Sequence, residues 1–456
     1  MASRSQSEQP DALNLYILTY NCARALINPS IFAPYLFHAL PANSHPPEVL
    51  VLCFQEFAPI SYAFLGGSFL TPYFNAWRDA VRLASTSKDY GYVNVISRNV
   101  GMTAIMVFAR DDVADDVKWL KTAGVGVGLS EMGNKGAVGL RVGYRSPGMA
   151  REVEFTFVSA HLAPMEDGLE RRNEDYKNIV RRLVFVSDSR SRKRVSGAEE
   201  DEDAPLLQGN DPSQQDDEAS ERGMYTSSSH LFFAGDLNYR TSLLQPSPQD
   251  VDEKFPHPTT NEADPKHFQQ LLAEDQLTQQ VKAGKTLHGL SEAPITFPPT
   301  YKYHTDGSKA VIFATGEDED RQHWSWARHR WPSWCDRIFF WNDHGSSSDV
   351  KVTPQKYTCL PLFATSDHRP VVLAATVPSK ALSNAGQRGE GGRGPTVAPF
   401  DLDPEWRSRR AQARKKELAV GLMAYLALTW EGNGLLLATT IGAVGGWLII
   451  RSLLLG

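Results

Sequence analysis

A chain of 456 residues with 41% apolar residues is long enough for one large domain or two medium ones with a real hydrophobic core. Its 47 lysines and arginines are outnumbered by 53 aspartates and glutamates, and a net charge of -6 argues against a general nucleic-acid binder. The 4 cysteines form neither a metal-binding pair nor a disulfide framework, so we expect a reducing compartment. The polar residues 1–12 lack the apolar segment of a secretory signal, and we expect them to be disordered.

Short apolar runs bounded by polar residues predict β-strands along most of the chain. Many of them are rich in β-branched and aromatic residues, and helical stretches separate some of them. One such stretch, residues 168–185, places Leu169, Tyr176 and Ile179 at helical spacing and predicts an amphipathic helix on the sheets. The alternation predicts an α/β architecture in layers, with sheets inside and helices outside. The predicted strands are residues 13–21, 48–56, 103–109, 136–144, 152–160, 230–235, 336–341 and 370–377.

Two polar segments interrupt this pattern. Residues 188–229 carry blocks of charge and almost no aromatic side chains, so they predict a disordered surface insertion within one domain. Residues 379–404 begin with a Gly- and Ser-rich stretch and predict a flexible linker. A single domain would therefore extend over residues 13–378.

The C-terminal part of the chain predicts attachment to a membrane. Residues 405–417 are basic, and residues 418–456 are strongly apolar. A helix needs about 20 apolar residues to cross a bilayer, so residues 418–430 are too short alone, whereas residues 435–455 are long enough. A buried core helix is the alternative, but the predicted linker separates this segment from the domain. The sequence leaves open whether the tail is a single span or a hairpin.

The residues around the span predict its orientation and its membrane. Basic clusters beside a span stay on the cytosolic side and are attracted to anionic lipid, so the upstream domain would face the cytosol. Gly442, Gly445 and Gly446 interrupt a span that is already short, which favours a thin bilayer such as the endoplasmic reticulum. The basic residues are Arg407, Arg409, Arg410, Arg414, Lys415 and Lys416.

Polar side chains stand at one end of several predicted strands. Taken singly, each is more often a cap or a turn residue than a catalytic one. Together they are the residue types that a hard cation and a phosphate group need, and strands of a sandwich can bring them to one edge. They are Asn21, Glu56, His161, Asp236, Asn238, Asp367 and His368.

This set predicts metal-assisted hydrolysis of a phosphoester. Magnesium prefers oxygen ligands, and we expect Glu56 to be the first of them, with Asn21 nearby. Asp236 would remove a proton from the attacking water, while Asn238 would hold the water or the phosphate in line.

The two histidines predict stabilisation of the reacting phosphate. His161 and His368 would donate hydrogen bonds to phosphate oxygens as negative charge shifts toward the leaving oxygen. A histidine used in this way needs its other nitrogen fixed, commonly by a carboxylate, and Asp336 is the candidate.

The motifs at these positions resemble those of the inositol polyphosphate 5-phosphatases, within the endonuclease/exonuclease/phosphatase superfamily. GDLN and SDH alone indicate only the superfamily, whereas GNKG, TYKY and PSWCDRI together are typical of the 5-phosphatases. The motifs follow the family order over residues 13–377, with the acidic insertion as the main interruption. They are TYN, QE, EMGNKGAV, SAHLAP, GDLNYR, PPTYKY, WPSWCDRIFFW and TSDHRPV.

The resemblance implies a DNase I-like four-layer α/β sandwich, two packed sheets flanked by helices, and the catalytic roles given above. It implies that Asp336 orients His368 and that Asp367 completes the site. Asn134 and Lys135, in GNKG, would contact the headgroup phosphate on the lipid side. Four residues would form a cradle for the neighbouring 4-phosphate: Tyr301, Lys302, Arg328 and Arg330.

One part of the cradle departs from the family pattern. Arg328 stands where the family commonly has Lys, and a guanidinium keeps the charge and can bind phosphate through two parallel hydrogen bonds. The segment before Arg328 is longer and more acidic than the same segment in the family pattern. We expect its residues 311–323 to form a solvated surface loop.

The leading hypothesis is a magnesium-dependent enzyme that removes the 5-phosphate from a phosphoinositide such as phosphatidylinositol 4,5-bisphosphate. A membrane tail would hold the site at a surface, which favours a lipid over a soluble inositol polyphosphate, the first alternative. A nuclease is disfavoured by the acidic balance and the headgroup motifs. A catalytically inactive phosphoinositide-binding tether is the non-enzymatic alternative, although every catalytic position is filled. We expect a monomer without a nucleic-acid partner.

Overall fold

The computed structural model describes residues 12–41, 44–86, 90–147, 149, 152–187, 222–226, 228–305, 310–312, 324–342, 351–378 and 398–455. Its strands are β1 (Ala12–Asn21), β2 (Val49–Gln55), β3 (Tyr92–Val100), β4 (Thr103–Arg110), β5 (Val117–Gly126), β6 (Gly136–Tyr144), β7 (Val153–His161), β8 (Val186–Ser187), β9 (Ser229–Asp236), β10 (Leu290–Ser291), β11 (Val311–Ile312), β12 (Asp336–Trp341), β13 (Thr353–Cys359), β14 (Leu362–Phe363) and β15 (Val371–Pro378). Its helices are α1 (Pro29–Leu36), α2 (Ile60–Leu65), α3 (Thr71–Ser85), α4 (Leu169–Arg182), α5 (Pro248–Lys254), α6 (Phe268–Leu272), α7 (Gln276–Lys282), α8 (Trp406–Leu428) and α9 (Trp430–Leu455).

Two large sheets form the centre of the domain. The first has the strand order β13-β15-β1-β2-β4-β3, and the second has the order β10-β12-β9-β7-β6-β5-β8. Within these sheets β1 pairs with β2 in parallel, and so does β7 with β9, whereas the other pairs are antiparallel. Parallel neighbours end at the same edge, so β1 and β2 end side by side, and so do β7 and β9.

Both faces of each sheet are buried, which explains the continuous apolar runs in the sequence. Along β1, Leu15 and Ile17 face the core between the sheets, while Tyr16 and Leu18 face the helices α1 and α3. The outer face of the second sheet packs against α4 and α7. The resulting order of helices, sheet, sheet and helices is the four-layer sandwich expected from the sequence.

The strands with two buried faces are the ones that the sequence predicted, and all eight are present with ends that differ by at most one residue. The predicted helix at 168–185 is α4, which ends three residues earlier, at Arg182. The sequence missed the longer strands β3, β5 and β13 and the two-residue strands β8, β10, β11 and β14. β3 and β13 are the outermost strands of the first sheet, and their partly exposed side chains break the apolar pattern.

Three segments expected to be loops are partly folded onto the domain. Tyr225, near the end of the expected insertion, is buried in the core under α4. Val311–Ile312 pair with β14 instead of forming part of a solvated loop. Phe400, in the expected linker, packs against the core under α4. The rest of these predictions falls on residues 188–221, 313–323 and 379–397, which lie outside the described residues, as do residues 1–11.

Helix α8 overturns the expected division of the C-terminal part. It runs without interruption across the predicted boundary between Glu417 and Leu418, because both segments form one helix packed on α2. Its residue Gly421 lies so close to α2 that an added Cβ would stand 2.9 Å from Cβ of Phe64. Three of the basic residues expected to face lipid contact the domain instead: Arg409, Arg414 and Lys416.

Helix α9 begins at Trp430, before the expected start of the span at residue 435. Among the described residues it is the one helix long and apolar enough to cross a membrane. None of its most apolar stretch is buried against the domain. The sequence therefore contains a candidate span directly after the docked helix α8.

Candidate active site

Four neighbouring strands of the second sheet bring their ends into one row. Gly136, His161, Asp236 and Asp336 are successive partners in the register of β6, β7, β9 and β12. Lys135 precedes the first of these positions in the chain. The row explains why residues distant in sequence meet at one edge of the sandwich.

Asp236 lies at the centre of the site and is buried. Its Oδ2 accepts a hydrogen bond from Asn21 Nδ2 at 2.9 Å and lies 3.2 Å from His161 Nε2 and 3.9 Å from His368 Nε2. Its Oδ1 accepts a hydrogen bond from the backbone N–H of Asn238 at 3.1 Å. Burial raises the pKa of this carboxyl, but the nearby His161 and His368 outweigh burial and hold the pKa well below its usual range. Asp236 is therefore ionised at neutral pH.

The backbone around Asp236 explains the Gly-Asp-Leu-Asn sequence. Gly235 has a φ of 156°, and a Cβ there would lie 1.9 Å from the carbonyl oxygen of Ala160 on β7. Asn238 has a φ of 59°, a left-handed conformation that Asn tolerates better than most residues. Its side chain donates to the carbonyl oxygen of Leu162 at 3.1 Å. The backbone conformations of Gly235 and Asn238 fix the Asp236 carboxylate at the end of the strand.

His368 is held in place by Asp336. Nδ1 of His368 lies 2.8 Å from Oδ2 of Asp336, and Thr300 Oγ1 donates to the same oxygen at 2.7 Å. Burial lowers the pKa of His368, but Asp336 and Asp236 outweigh it and raise the pKa to about 9. Burial raises the pKa of Asp336 to about 6, below that of His368, so the proton stays on the imidazole. At neutral pH an imidazolium therefore faces Asp236.

His161 is the neutral histidine of the site. Burial first, and then the charge of Lys135, lower its pKa. Nε2 of His161 faces both Nζ of Lys135 and Oδ2 of Asp236, and it can accept from Lys135 or donate to Asp236 but not both. A neutral His161 can stabilise the ionised Asp236 only through a hydrogen bond, so the positive charge beside Asp236 comes from His368 and Lys135.

Glu56 forms the open side of the site. It follows β2 with a φ of 45°, and about a quarter of its side chain is exposed to solvent. Its carboxylate lies 3.1 Å from Arg24 Nε and 3.8 Å from Lys135 Nζ. The site thus combines one accessible carboxylate with the buried Asp236 and several cationic side chains.

A sequence model described as endonuclease/exonuclease/phosphatase family 2 matches residues 18–374, a range that contains every residue of this site. The chain belongs to the endonuclease/exonuclease/phosphatase family. The superfamily inferred from GDLN and SDH is therefore confirmed.

Individual members of this family that resemble the chain are 5-phosphatases. The type II inositol polyphosphate 5-phosphatase 14 of Arabidopsis thaliana is 29% identical over 304 residues, which are 65% of this chain and 24% of the relative. The type II inositol 1,4,5-trisphosphate 5-phosphatase of Mus musculus is 30% identical over 341 residues, which are 74% of this chain and 27% of the relative. The chain thus spans about a quarter of the length of these relatives. These matches confirm the resemblance to 5-phosphatases that GNKG, TYKY and PSWCDRI indicated.

A solved structure shows the same fold. The inositol polyphosphate 5-phosphatase domain of SPsynaptojanin, crystallised with inositol (1,4)-bisphosphate and calcium ion, matches with a TM-score of 0.53 at 21% identity. The match covers 90% of this chain and 90% of the solved one. It confirms the sandwich fold of the family.

Two sets of residues in this family member have the chemistry to hold a cation. Asp236, Asp336 and His368 place one potential ligand atom each within 4.8 Å of one another. In that set, however, Asp336 and His368 are buried and already bonded to each other. Magnesium prefers oxygen ligands and keeps several waters, so the accessible carboxylate of Glu56, with Asn21 and Asp236 beside it, fits better. Lys135 and Arg24 would then exchange their contacts with Glu56 for others.

The expected phosphate cradle is only partly assembled around the site. The ring of Tyr301 lies 4.5 Å from the ring of His368, centroid to centroid. Lys302 forms an ion pair with Asp367, next to His368 in the chain. Tyr301 thus stands beside the imidazolium, and Asp367 acts as the counterion of Lys302.

The two arginines of the expected cradle differ in position. Arg330 is mostly buried and lies 3.3 Å from the carboxylate of Glu166, in the loop after β7. Arg328 is exposed and pairs at 3.3 Å with Asp252, itself an exposed residue of α5. Among the described residues Arg328 makes no contact with the group around Asp236, so its expected place in the cradle is not formed in this structure.

Lys135 is the GNKG residue that reaches the site, because Asn134 turns inward. Oδ1 of Asn134 is buried and accepts no hydrogen bond within the described part of the chain. A Cβ on Gly128 would stand 2.0 Å from this oxygen. The prediction that Asn134 contacts a headgroup phosphate remains a prediction.

Three residues that support the site were not predicted from the sequence. Buried Arg240 donates to Asn238 Oδ1 at 2.6 Å. Its guanidinium carbon lies 4.4 Å from the centroid of the Tyr301 ring. Thr300 bonds to Asp336, and Arg24 pairs with Glu56. Arg240 and Thr300 lie within the motifs GDLNYR and PPTYKY, so the signal was present, whereas nothing in the sequence singles out Arg24.

Proposed function

We propose that this protein is a phosphatase that removes the 5-phosphate of a phosphoinositide at a membrane surface. The substrate would be phosphatidylinositol 4,5-bisphosphate and the product phosphatidylinositol 4-phosphate. One observation carries the proposal, namely the ionised Asp236 held beside a protonated His368 at the edge of the sandwich. The relatives are named as 5-phosphatases of inositol phosphates and phosphoinositides, which supports the substrate class.

Asp236 would receive the proton of the attacking water. Water oxygen attacks phosphorus, and the bond between phosphorus and the inositol 5-oxygen breaks. The leaving oxygen takes up one proton and Asp236 returns its proton to solvent, so that the 5-hydroxyl and inorganic phosphate are released. A carboxylate with a depressed pKa is a weak base while His368 keeps its charge. When a phosphate oxygen takes up hydrogen bonds from His368, that charge is shared and the pKa of Asp236 rises. Asn238, fixed on both sides, would orient the water or the phosphate.

The histidines would stabilise the phosphate as charge moves to the leaving oxygen. His368 is held by Asp336 with its Nε2–H toward the site, so it needs no reorganisation to donate. His161 would donate from the same nitrogen that now faces Lys135. Binding of the anionic substrate would draw Lys135 away and release this nitrogen.

Magnesium is the cofactor that the oxygen ligands support. Glu56 would hold it, with Asn21 and Asp236 beside it. A bound divalent cation neutralises phosphate charge and polarises the phosphoryl oxygens.

Specificity for the substrate phosphates would come from cationic side chains that form ion pairs within the protein in this structure. Lys302 and Arg330 would bind the 4-phosphate together with Tyr301, and Lys135 and Asn134 would bind the phosphate on the lipid side. Arg328 would join the cradle only after leaving Asp252. The acids Asp367 and Glu166 keep the cationic groups in place in the absence of substrate.

Helix α9 would anchor the protein in a membrane, with the catalytic domain in the cytosol. The apolar and exposed surface of α9 supports this, and its short, Gly-interrupted sequence supports the endoplasmic reticulum. The second candidate substrate is a soluble inositol polyphosphate, which is favoured by the name of the mouse relative, an inositol 1,4,5-trisphosphate 5-phosphatase. A catalytically inactive tether is disfavoured because the catalytic side chains are assembled with charges suited to the reaction.

The test is release of inorganic phosphate by the full-length protein in lipid vesicles. Phosphatidylinositol 4,5-bisphosphate should be cleaved with magnesium and not after chelation, while phosphatidylinositol 4-phosphate should not be cleaved. Inositol 1,4,5-trisphosphate in the same assay separates lipid from soluble substrates. Phosphate release no greater than that of an Asp236→Asn protein on every substrate would refute the proposal.

A further inference from the structure

Helix α8, which leads into the candidate span, packs against segments that carry catalytic residues. It lies along α2, the helix that follows Glu56, and against the turn Leu129–Glu131, which precedes Lys135. Arg409 pairs with Glu131 at 3.2 Å, and Lys416 Nζ lies 3.4 Å from the carbonyl oxygen of Ser130. The helix thus touches both segments that form the open side of the site.

Glu417 is the central contact of α8. Its side chain is fully buried, and its Oε1 accepts a hydrogen bond from the backbone N–H of Gly133 at 2.9 Å. Arg410 and Arg414 pair with its two oxygens at 2.7 and 3.3 Å. Burial of a carboxylate is unfavourable unless its oxygens are satisfied, so this position accepts an acid only with these partners. Gly133 lies two residues before Lys135 in the chain.

A row of peptide hydrogen bonds continues from Glu417 toward Glu56. The carbonyl oxygen of Gly133 accepts from the N–H of Met102 at 2.8 Å. The carbonyl oxygen of Met102 accepts from the N–H of Phe57 at 3.0 Å, and Phe57 follows Glu56 directly. One carboxylate on α8 therefore fixes, through successive backbone groups, the loop of Lys135 and the segment of Glu56.

Arg414 provides a second attachment on α2. Its Nη1 donates to the carbonyl oxygen of Phe64 at 2.6 Å, and its Nη2 donates to that of Leu65 at 3.1 Å. These are terminal carbonyls of α2, which have no partners within the helix and favour a positive charge. Gly421 allows the close approach that these bonds need.

We propose that α8 is a structural part of the active site and that Glu417 is a positioning residue for Lys135 and Glu56. The proposal goes beyond the proposed function and relies on it only for the activity measurement. It means that the helix leading into the candidate span also sets the geometry of the site. In the part of the chain that the structure describes, no residue of α8 touches the group around Asp236, so the effect on catalysis passes through the Gly133 loop.

The main test compares three full-length variants on soluble inositol 1,4,5-trisphosphate, so that membrane binding does not contribute. Glu417→Ala removes the acceptor for Gly133 and should lower kcat/KM about tenfold or more, because small displacements of catalytic groups have large effects on rate. Glu417→Gln keeps an amide oxygen that can accept from Gly133, and it should restore part of the loss. Glu405→Gln changes an exposed acid at the start of α8 and should match the wild-type protein.

A double-mutant cycle with Lys135→Ala separates positioning from general damage. If Glu417 acts through the loop of Lys135, Glu417→Ala should reduce kcat/KM much less in the Lys135→Ala protein than in the wild-type protein. An equal fold-loss in both proteins would overturn the proposal. If Glu417→Ala does not fold, as judged by circular dichroism, the same cycle is run with Glu417→Gln.

Hydrogen exchange gives a readout that needs no activity. Amides of residues 128–135 should exchange faster in Glu417→Ala than in Glu405→Gln and the wild-type protein. A wild-type protein without phosphatase activity would refute the proposed function but leave this measurement intact. Unchanged exchange in this loop would refute the positioning role, whatever the activity.

Discussion

The Nδ1 atom of His368 lies 2.8 Å from Oδ2 of Asp336, and this hydrogen bond keeps a positive charge next to Asp236. The acidic member of the pair is on β12, and the histidine comes just before β15, so the bond joins the two sheets of the sandwich. Its consequence is electrostatic, because the charged His368 holds Asp236 ionised although that carboxyl is buried.

Asp236→Asn should reduce kcat by about 10²-fold or more, since it keeps the shape of the side chain but removes the base. Phosphate release from vesicles measures the loss, and circular dichroism should show a folded protein. Asp252→Asn, at an exposed site on α5, is the matched control and should keep normal activity. Near-normal turnover by a folded Asp236→Asn protein would refute the role of Asp236 as the base.

The activity should fall at alkaline pH as His368 loses its proton, with a midpoint near its pKa of about 9. Asp336→Asn removes the nearest carboxylate and should shift this limb of the pH profile of kcat to lower pH. A profile with the same alkaline limb in both proteins would contradict the assignment.

The same titration affects stability. The pKa of His368 is raised in the folded protein, from an ordinary 6.5 to about 9, so its stabilising effect is fully present below about pH 6.5. It is lost as pH rises through 9. Urea unfolding at several pH values should therefore show a smaller decrease in the free energy of unfolding between pH 6.5 and 9 for His368→Gln than for the wild-type protein.

Lys302→Ala with Arg330→Ala should selectively impair cleavage of lipids that carry a 4-phosphate. Each charge-assisted hydrogen bond contributes roughly 1.5–3 kcal/mol, so the loss in kcat/KM should exceed about tenfold. The comparison is phosphatidylinositol 4,5-bisphosphate against phosphatidylinositol 5-phosphate. Arg82→Ala, on α3, is the control and should have little effect, since its exposed ion pair with Asp79 contributes less than about 1 kcal/mol. Equal losses on both lipids would show a structural role.

Glu56→Gln should weaken magnesium binding and raise the magnesium concentration needed for half-maximal activity. Isothermal titration with magnesium chloride, without substrate, gives a second readout. Because Glu56 also pairs with Arg24 and Lys135, Arg24→Ala serves as a control for loss of the ion pair alone. Unchanged magnesium affinity in Glu56→Gln would place the cation elsewhere, with Asp236, Asp336 and His368 as the next candidates.

Removal of residues 430–456 should release a soluble protein that still cleaves inositol 1,4,5-trisphosphate, because α8 stays intact. Deletion from residue 418 cuts α8 beside Glu417 and removes Gly421, so this shorter protein should be less active and less stable. Extraction with alkaline carbonate measures membrane attachment. If the protein lacking residues 430–456 still resisted extraction, α9 would not be the anchor.

The sequence predicted the interior of this fold better than its edges. β1 and β2 have two buried faces and read as continuous apolar runs, whereas the exposed side chains of β13 gave no such signal. At the site, polar residues at the ends of buried strands were recognisable, and Asp236 and His161 lie where expected. The role of Arg328 in the cradle stays a prediction, because family order gives no information on the local path of a loop. The docking of α8 depends on one buried acid in the basic segment and one glycine in the apolar segment after it, a pattern that equally describes a free segment near a membrane.

A single residue, Thr429, separates α8 from α9, and this has a consequence for how far the enzyme can reach. Flexible linkers let a domain explore a radius that grows with their length, but one residue allows almost none. With α9 in a bilayer, the docked domain would stay within the headgroup region of that bilayer. It would meet its substrate by lateral diffusion, so its rate would follow the surface density of the lipid. It would act on its own membrane and not on one apposed across the cytosol.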